Sequence, residues 1–331
     1  MPNTDQYLKA DIFDSPDQAA TREGFGKGLV EAADADERIV ALCADLTEST
    51  RMEAFAKKYP QRYIEVGVAE QNLAALASGF AAYGKIPFIT SYATFSPGRN
   101  NEQIRTTISL NNVPVKIVGS HAGVSVGPDG ATHQALEDIA LMRVQPNMTV
   151  VSPCDAEEAR KATLAAAKWN GPVYIRLARE KTPIMTTAET PFEIGKANLV
   201  WQGKTLPQTV IFATGPLVHN ALLAAQALEK EGLAVNVVNV HTIKPLDKET
   251  IVREARAAGA VVTVEEHQIA GGLGSAIAEL LAQECPVPQE FVGVRDLFGQ
   301  SGTPKELIEH YGLGVSHIVD AVKKVLQRKT S

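Results

Sequence analysis

The sequence predicts an α/β protein of two three-layer α/β/α domains in tandem. Apolar strand-like runs alternate with amphipathic helical patterns along nearly the whole chain, as parallel sheets covered by helices require. A polar stretch from Glu180 to Pro207, punctuated by Thr182, Pro183, Thr186, Thr187, Thr190, Pro191 and Gly195, breaks that alternation and reads as a linker. The 331 residues, 45% of them hydrophobic, suffice for two ordinary cores. The expected division is a first domain over 1–185, a linker over 186–206 and a second domain over 207–331.

In the first domain, strands are expected at Ile39 to Ala44, Arg62 to Val68, Ile86 to Ser91, Val115 to Gly119, Thr149 to Ser152 and Val173 to Leu177. Ile64, Val66 and Val68 alternate as a strand does, and Leu73, Leu76, Ala77, Phe80 and Ala81 then follow the stripe of a buried helix face. Glu70 therefore falls at a helix start, where a carboxylate can do no more than complement the helix dipole or can be the chemical group of a site. Asp155, with Glu158 three residues on, forms a capping box for a helix from Ala156 to Trp169, which Asn170-Gly171-Pro172 stops. In the second domain, strands at Thr209 to Ala213, Ala234 to Val240 and Val261 to Glu265 alternate with helices that end at Glu231, follow Asp247 and follow Gly274. Helical segments close the chain.

Other readings are excluded or weakened. The formal net charge of −6, from 38 acidic and 32 basic side chains without long like-charge runs, argues against a nucleic-acid surface. No stretch approaches the roughly 18 apolar residues of a membrane span, and the first residues lack a signal pattern, so the cytoplasm is the expected compartment. Cys43, Cys154 and Cys285 are widely spaced, which indicates neither disulfides nor a thiolate metal site. Gly24-Phe-Gly-Lys-Gly28 and Gly271-Gly-Leu-Gly274 miss the spacing of nucleotide-binding loops, and close helix packing explains the second.

Polar groups concentrate where parallel sheets bind ligands, at the carboxyl ends of the first domain's strands. Asp45 ends the first strand, Glu70 follows the second, and Thr94 and Phe95 follow the third. His121 ends the fourth, with Gly127-Pro-Asp129-Gly-Ala-Thr-His133-Gln134 in the loop beyond, and Arg176 and Arg179 end the last. Singly, His121 reads as a satisfied loop histidine and Arg179 as a solvated cation. Their convergence on one sheet edge reads as a site.

Ala44-Asp-Leu-Thr-Glu-Ser49, Ile64 to Asn72, Ser91-Tyr-Ala-Thr-Phe95, His121 to Gln134 and Arg143 to Asp155 together resemble, in order, the second half of transketolase. The resemblance runs from about Thr21 to the end of the chain. It implies a thiamine diphosphate-binding fold of the pyrimidine type followed by a transketolase carboxyl-terminal domain. It also implies that Glu70 hydrogen-bonds N1′ of the aminopyrimidine, with burial in an apolar pocket favouring a shared proton. Phe95 would stack on that ring, a contact worth about 1 kcal/mol beyond area burial, and Asp45 would also face the cofactor. His121 and His133 would exchange protons with the sugar near neutrality. Asp129 would read a hydroxyl, and Arg22, Ser49 and Arg179 would hold the sugar phosphate.

Two departures matter. After Phe95 the chain runs Ser-Pro-Gly-Arg-Asn-Asn, where full-length transketolases continue with further aromatics, so the pyrimidine pocket has a different wall. The chain also lacks the Gly-Asp-Gly and downstream asparagine that hold Mg²⁺ and the diphosphate. The expectation is one subunit of a split enzyme of the pentose phosphate pathway type, an α2β2 assembly in which an N-terminal transketolase subunit carries the Mg²⁺ ligands. Sugar phosphates are its expected substrates. Deoxyxylulose-phosphate synthase, 2-oxoacid dehydrogenase beta subunits and a non-catalytic regulatory subunit share the architecture. The Asp-Gly-Ala-Thr-His-Gln run favours transketolase.

Overall fold

Strands at the centre of a helix-covered parallel sheet are buried on both faces, so they read as continuous apolar runs rather than as alternation. Ile39–Cys43 and Thr209–Ala213 follow this rule and bury every residue. The computed structural model describes residues 7–14 and 16–329; the expected outer ends of the domains, residues 1 and 331, lie outside them.

The first sheet has seven strands, in spatial order Thr242–Lys244, Thr149–Val151, Val173–Arg176, Lys116–Ser120, Ile86–Tyr92, Ile39–Cys43 and Tyr63–Glu65. Neighbours run parallel, except that the outermost, Thr242–Lys244, is antiparallel to Thr149–Val151. The second sheet has five strands, ordered Gln289–Val294, Val261–Gln268, Thr209–Ala213, Val235–Asn239 and Asn198–Trp201, the last antiparallel. Parallel strands put all their carboxyl ends on one edge. In the first sheet that edge carries the turns at Asp45, Gly67, Ala93, His121 and Leu177.

Helices cover both sheets. Thr21–Ala35 packs on Ala156–Lys168 so closely that a Cβ at Gly24 would stand 1.8 Å from Ala156 O and one at Gly28 would stand 2.8 Å from Arg160 O. The first glycine cluster is a helix contact. The second behaves alike: a Cβ at Gly272 would stand 2.0 Å from Glu265 Oε2 and one at Gly274 would stand 2.6 Å from Phe291.

The two lobes are not separate cores. One apolar cluster runs from Leu42, Ile89 and Ile117 of the first sheet to Phe212 and Val238 of the second and to Ile251 of the helix Lys248–Ala258. Strand Thr242–Lys244 comes from the second half of the chain yet extends the first sheet. Charged residues line this seam in hydrogen-bonded networks. Arg176 Nε donates to Asp138 Oδ2 at 2.8 Å, Tyr174 Oη donates to the same oxygen at 2.7 Å, and Leu273 N and Gly274 N donate to the Glu265 carboxylate. Burial pushes Glu265 up to about 7 and His267 down to about 4.

The structure corrects several expectations. The stretch from Arg62 to Val68 keeps only Tyr63–Glu65 as strand, because Gly67 at φ +71° turns the chain into the next helix. The polar stretch read as linker hides Lys181–Pro183, paired antiparallel with Gln18–Ala20, and Asn198–Trp201. Both lie at edges, where one polar face weakens the apolar signal. Strand Gln289–Val294 opens on polar residues and was not expected. At the Asp155 cap, Glu158 N donates to Asp155 Oδ1 at 2.8 Å, but the Glu158 carboxylate turns to Cys154 N rather than closing the box. Among the described residues no helix is long and apolar enough to cross a membrane.

Candidate active site

Glu70 opens the helix Glu70–Ala82 after Ala69, which makes no side-chain cap, and only 2% of it is exposed. Its pocket is not wholly apolar, which corrects the expectation. Arg99 Nη1 donates to Glu70 Oε2 at 2.9 Å, and the guanidinium carbon lies 4.5 Å from the centre of the Phe95 ring. Asn100, fully buried, donates Nδ2 to Glu70 O at 2.9 Å and to Ser96 Oγ at 3.1 Å. The unusual Ser-Pro-Gly-Arg-Asn run after Phe95 therefore supplies the wall that aromatics were expected to supply. Among the described residues no hydrogen bond reaches Glu70 Oε1, the oxygen left to a ligand.

Phe95, under the Arg99 guanidinium, belongs to a cluster of four rings. Tyr92 stacks on His121 at 3.9 Å and on Phe95 at 5.8 Å, and His133 meets the edge of Phe95 at 5.3 Å. His121 follows its strand directly at φ +56°, 2% exposed, with Nδ1 against Ser120 Oγ at 2.9 Å. Burial, then the charges of Arg22 and Arg179, push its imidazole down to about 3. His121 is thus a neutral hydrogen-bonding group at physiological pH rather than a base titrating near neutrality. His133 Nδ1 lies 2.9 Å from Thr132 Oγ1, and Asp129 is exposed at the tip of the same loop.

A cationic cluster adjoins the rings. Arg22, in the first turn of Thr21–Ala35, donates Nη1 to Ser49 O at 2.7 Å and Nε to Arg179 O at 3.2 Å. Burial, then Arg51 and Arg179, lower its guanidinium below the ordinary value. Ser49 meets Arg22 through its carbonyl, not its hydroxyl. Arg179 donates Nη1 to Val126 O at 2.5 Å. Asp45, at φ +58°, is exposed and donates its amide to Glu65 Oε1 at 2.7 Å; that oxygen also takes Gly67 N at 3.0 Å, which ties the turns before Glu70 together.

The structure brings Glu70, Phe95, His121 and His133 together, with Arg22, Ser49 and Arg179 beside them. Asp45 and Asp129 stand at the exposed rim. Sequence reasoning missed Tyr92, Arg99 and Arg51, the last at φ +64° with Nη2 3.6 Å from Glu23 Oε1. Position alone could have flagged Tyr92, the last residue of its strand. A buried carboxylate with one oxygen free, beside an aromatic face, fits an aminopyrimidine by the chemistry of its donor set.

A family model described as transketolase, pyrimidine binding domain matches residues 17–185, and one described as transketolase, C-terminal domain matches 195–318. The chain is 43% identical over 308 residues to a 6-deoxy-6-sulfo-D-fructose transketolase subunit of Clostridium sp. (strain MSTE9), covering 93% of this chain and 95% of that protein. A solved structure described as a split gene transketolase, inactive beta4 tetramer, is 47% identical with TM-score 0.87, covering 94% of this chain and 99% of that one. Transketolase from Campylobacter jejuni is 26% identical with TM-score 0.80, covering 98% of this chain but 49% of its own.

Proposed function

The chain belongs to the transketolase family, and from that premise we propose that it is the pyrimidine-binding and carboxyl-terminal subunit of a split, thiamine diphosphate-dependent transketolase. With an N-terminal partner it would transfer a two-carbon ketol unit from a ketose phosphate to an aldose phosphate. The observation that carries this reading is Glu70, 2% exposed and paired with Arg99, whose guanidinium lies over the Phe95 ring, on the sheet edge that also bears His121 and His133.

Thiamine diphosphate, when bound, supplies the electron sink for cleaving and forming the carbon–carbon bond. The chain's own residues hold and orient. Glu70 Oε1 would hold the proton at N1′ of the aminopyrimidine, and Phe95 would lie against the ring. His121, neutral, would accept a hydrogen bond from a sugar hydroxyl, take that proton as imidazolium and return it to the product. Asp129 and His133 would reach the sugar from the loop, and Asp45 would face the cofactor from the rim. Arg22 and Arg179 would take the terminal anion, with Ser49 holding Arg22 in place. Mg²⁺ and the diphosphate would be bound by the partner, since this sequence has no Gly-Asp-Gly motif; a symmetric α2β2 assembly follows.

The test is turnover by this chain alone, by the partner alone and by the two combined, with thiamine diphosphate and Mg²⁺. Xylulose 5-phosphate with ribose 5-phosphate is expected to turn over only in the combined sample. Pyruvate with glyceraldehyde 3-phosphate is expected to be inert; condensation of that pair would instead select the synthase reading. The sulfofructose relative makes a sugar sulfonate a further donor to offer, because sulfonate and phosphate present similar oxygens to a guanidinium. Robust turnover by this chain alone would overturn the proposal.

A further inference from the structure

The loop from Gly123 to Gln134 bears Asp129 and His133, and both lobes fasten it. On the first lobe's side, Gly123 N donates to Ala135 O at 2.9 Å to close its base, and Arg179 Nη1 donates to Val126 O at 2.5 Å. Further fastenings reach the carboxyl-terminal lobe. Glu266, on strand Val261–Gln268 and 3% exposed, accepts Ser125 N on Oε1 at 2.6 Å. Gln134, also 3% exposed, donates Nε2 to Val124 O and Gly127 O within the loop, each at 3.1 Å, and to Gln300 O at 3.0 Å. At two points the lobes nearly touch: a Cβ on Gly127, at φ +84°, would stand 3.2 Å from Pro304 Cδ, and one on Gly130, at φ +76°, would stand 2.8 Å from Ser301 Oγ. Pro304 in turn opens a helix fixed by a complete capping box between Thr303 and Glu306.

A loop free to sample many conformations loses affinity in proportion to the order that binding must impose, so fastening it beforehand strengthens binding. A carboxylate accepting a backbone N–H is among the stronger fastenings available. The Glu266 end is itself anchored, since Arg176 Nη2 donates to Glu266 O at 2.7 Å while Nε pairs with Asp138. We propose that the carboxyl-terminal lobe is a clamp on the substrate loop, with Glu266 and Gln134 as positioning residues that set where Asp129 and His133 stand and so fix the affinity for the sugar. This rests on the reading that those two residues face the sugar.

Two measurements on Glu266→Gln and Gln134→Met test the clamp. In the lone chain, hydrogen exchange at the amides of 123–134 is expected to speed about tenfold while the seam at 173–176 keeps its protection. In the complex with the partner subunit, KM for the ketose phosphate is expected to rise about tenfold with kcat within about threefold and thiamine diphosphate affinity unchanged. Unaltered loop exchange in both variants would overturn the clamp. So would an unchanged KM in both while Asp129→Ala raises it. An unchanged KM in Asp129→Ala would instead refute the sugar-reading role of the loop, leaving the clamp to stand or fall by exchange alone.

Discussion

Arg176 is the last residue of its strand and Arg179 lies three residues beyond it, yet they belong to different worlds. Arg176 is buried in the seam, with Asp138 Oδ2 at 2.8 Å, Glu266 O at 2.7 Å and Ala135 O at 3.4 Å around its fork. Arg179 is partly exposed, donates to Val126 O and stands 3.8 Å from Glu180. The seam pairs the charges it buries, Arg176 with Asp138 at 2.8 Å, because an unpaired buried charge is costly. The site edge leaves capacity over: an unclaimed oxygen on Glu70, a partly exposed Arg179 and an exposed Asp129. A charge paired in the interior holds the fold together; one that keeps solvent access is available to a ligand.

The sharpest way to break this contrast is at Glu70. In the reconstituted enzyme Glu70→Ala is expected to lower kcat by roughly 10²–10⁴-fold while the far-ultraviolet spectrum and melting temperature stay near those of the parent; near-normal turnover would move Glu70 into the structural class. Arg176→Ala should behave in the opposite way, costing about 3–5 kcal/mol in urea unfolding because it strands Asp138 in the interior. A loss under about 1 kcal/mol would show that the seam's charges are dispensable. Arg179→Ala is expected to leave unfolding almost untouched but to raise KM for phosphorylated sugars about tenfold, more than it lowers kcat. An unchanged KM would remove Arg179 from anion binding.

The smallest effect expected is none. With its folded-state value near 3 against 6.5 for the free group, the His121 ring gains a proton only far below neutrality. Its nitrogen resonances should not titrate between about pH 5 and 8. The sign for stability follows: from 6.5 down to about 3 the unfolded chain binds a proton at this residue that the folded chain does not, so His121 makes the fold less stable as pH falls through that window. A midpoint near 6.5 would place the ring in solvent.

Much of this was legible in the sequence because it is local. The strand-to-helix switch around Glu70 shows in two adjacent periodicities, and the parallel order that gathers Phe95, His121 and Arg179 follows from alternating strands and helices. What stayed hidden depends on distant or irregular partners. Glu266 meets Ser125 across 141 residues, and strand Thr242–Lys244 leaves its own half to join the first sheet; no periodicity records either. Arg99 looked like a missing aromatic, and only the turn beyond Tyr92 carries it back onto Glu70. Ser49 was expected among the groups that hold the sugar phosphate; its carbonyl takes Arg22 Nη1, a contact fixed by the path of the turn that no periodicity records.

The most direct test is the structure of the complex of this chain with its N-terminal partner and thiamine diphosphate. Glu70 Oε1 is predicted within about 2.6–3.2 Å of the aminopyrimidine N1′, with the ring against Phe95 and the diphosphate held by the partner. A coenzyme ring seated away from Glu70, or a coenzyme held entirely by one chain, would contradict the account.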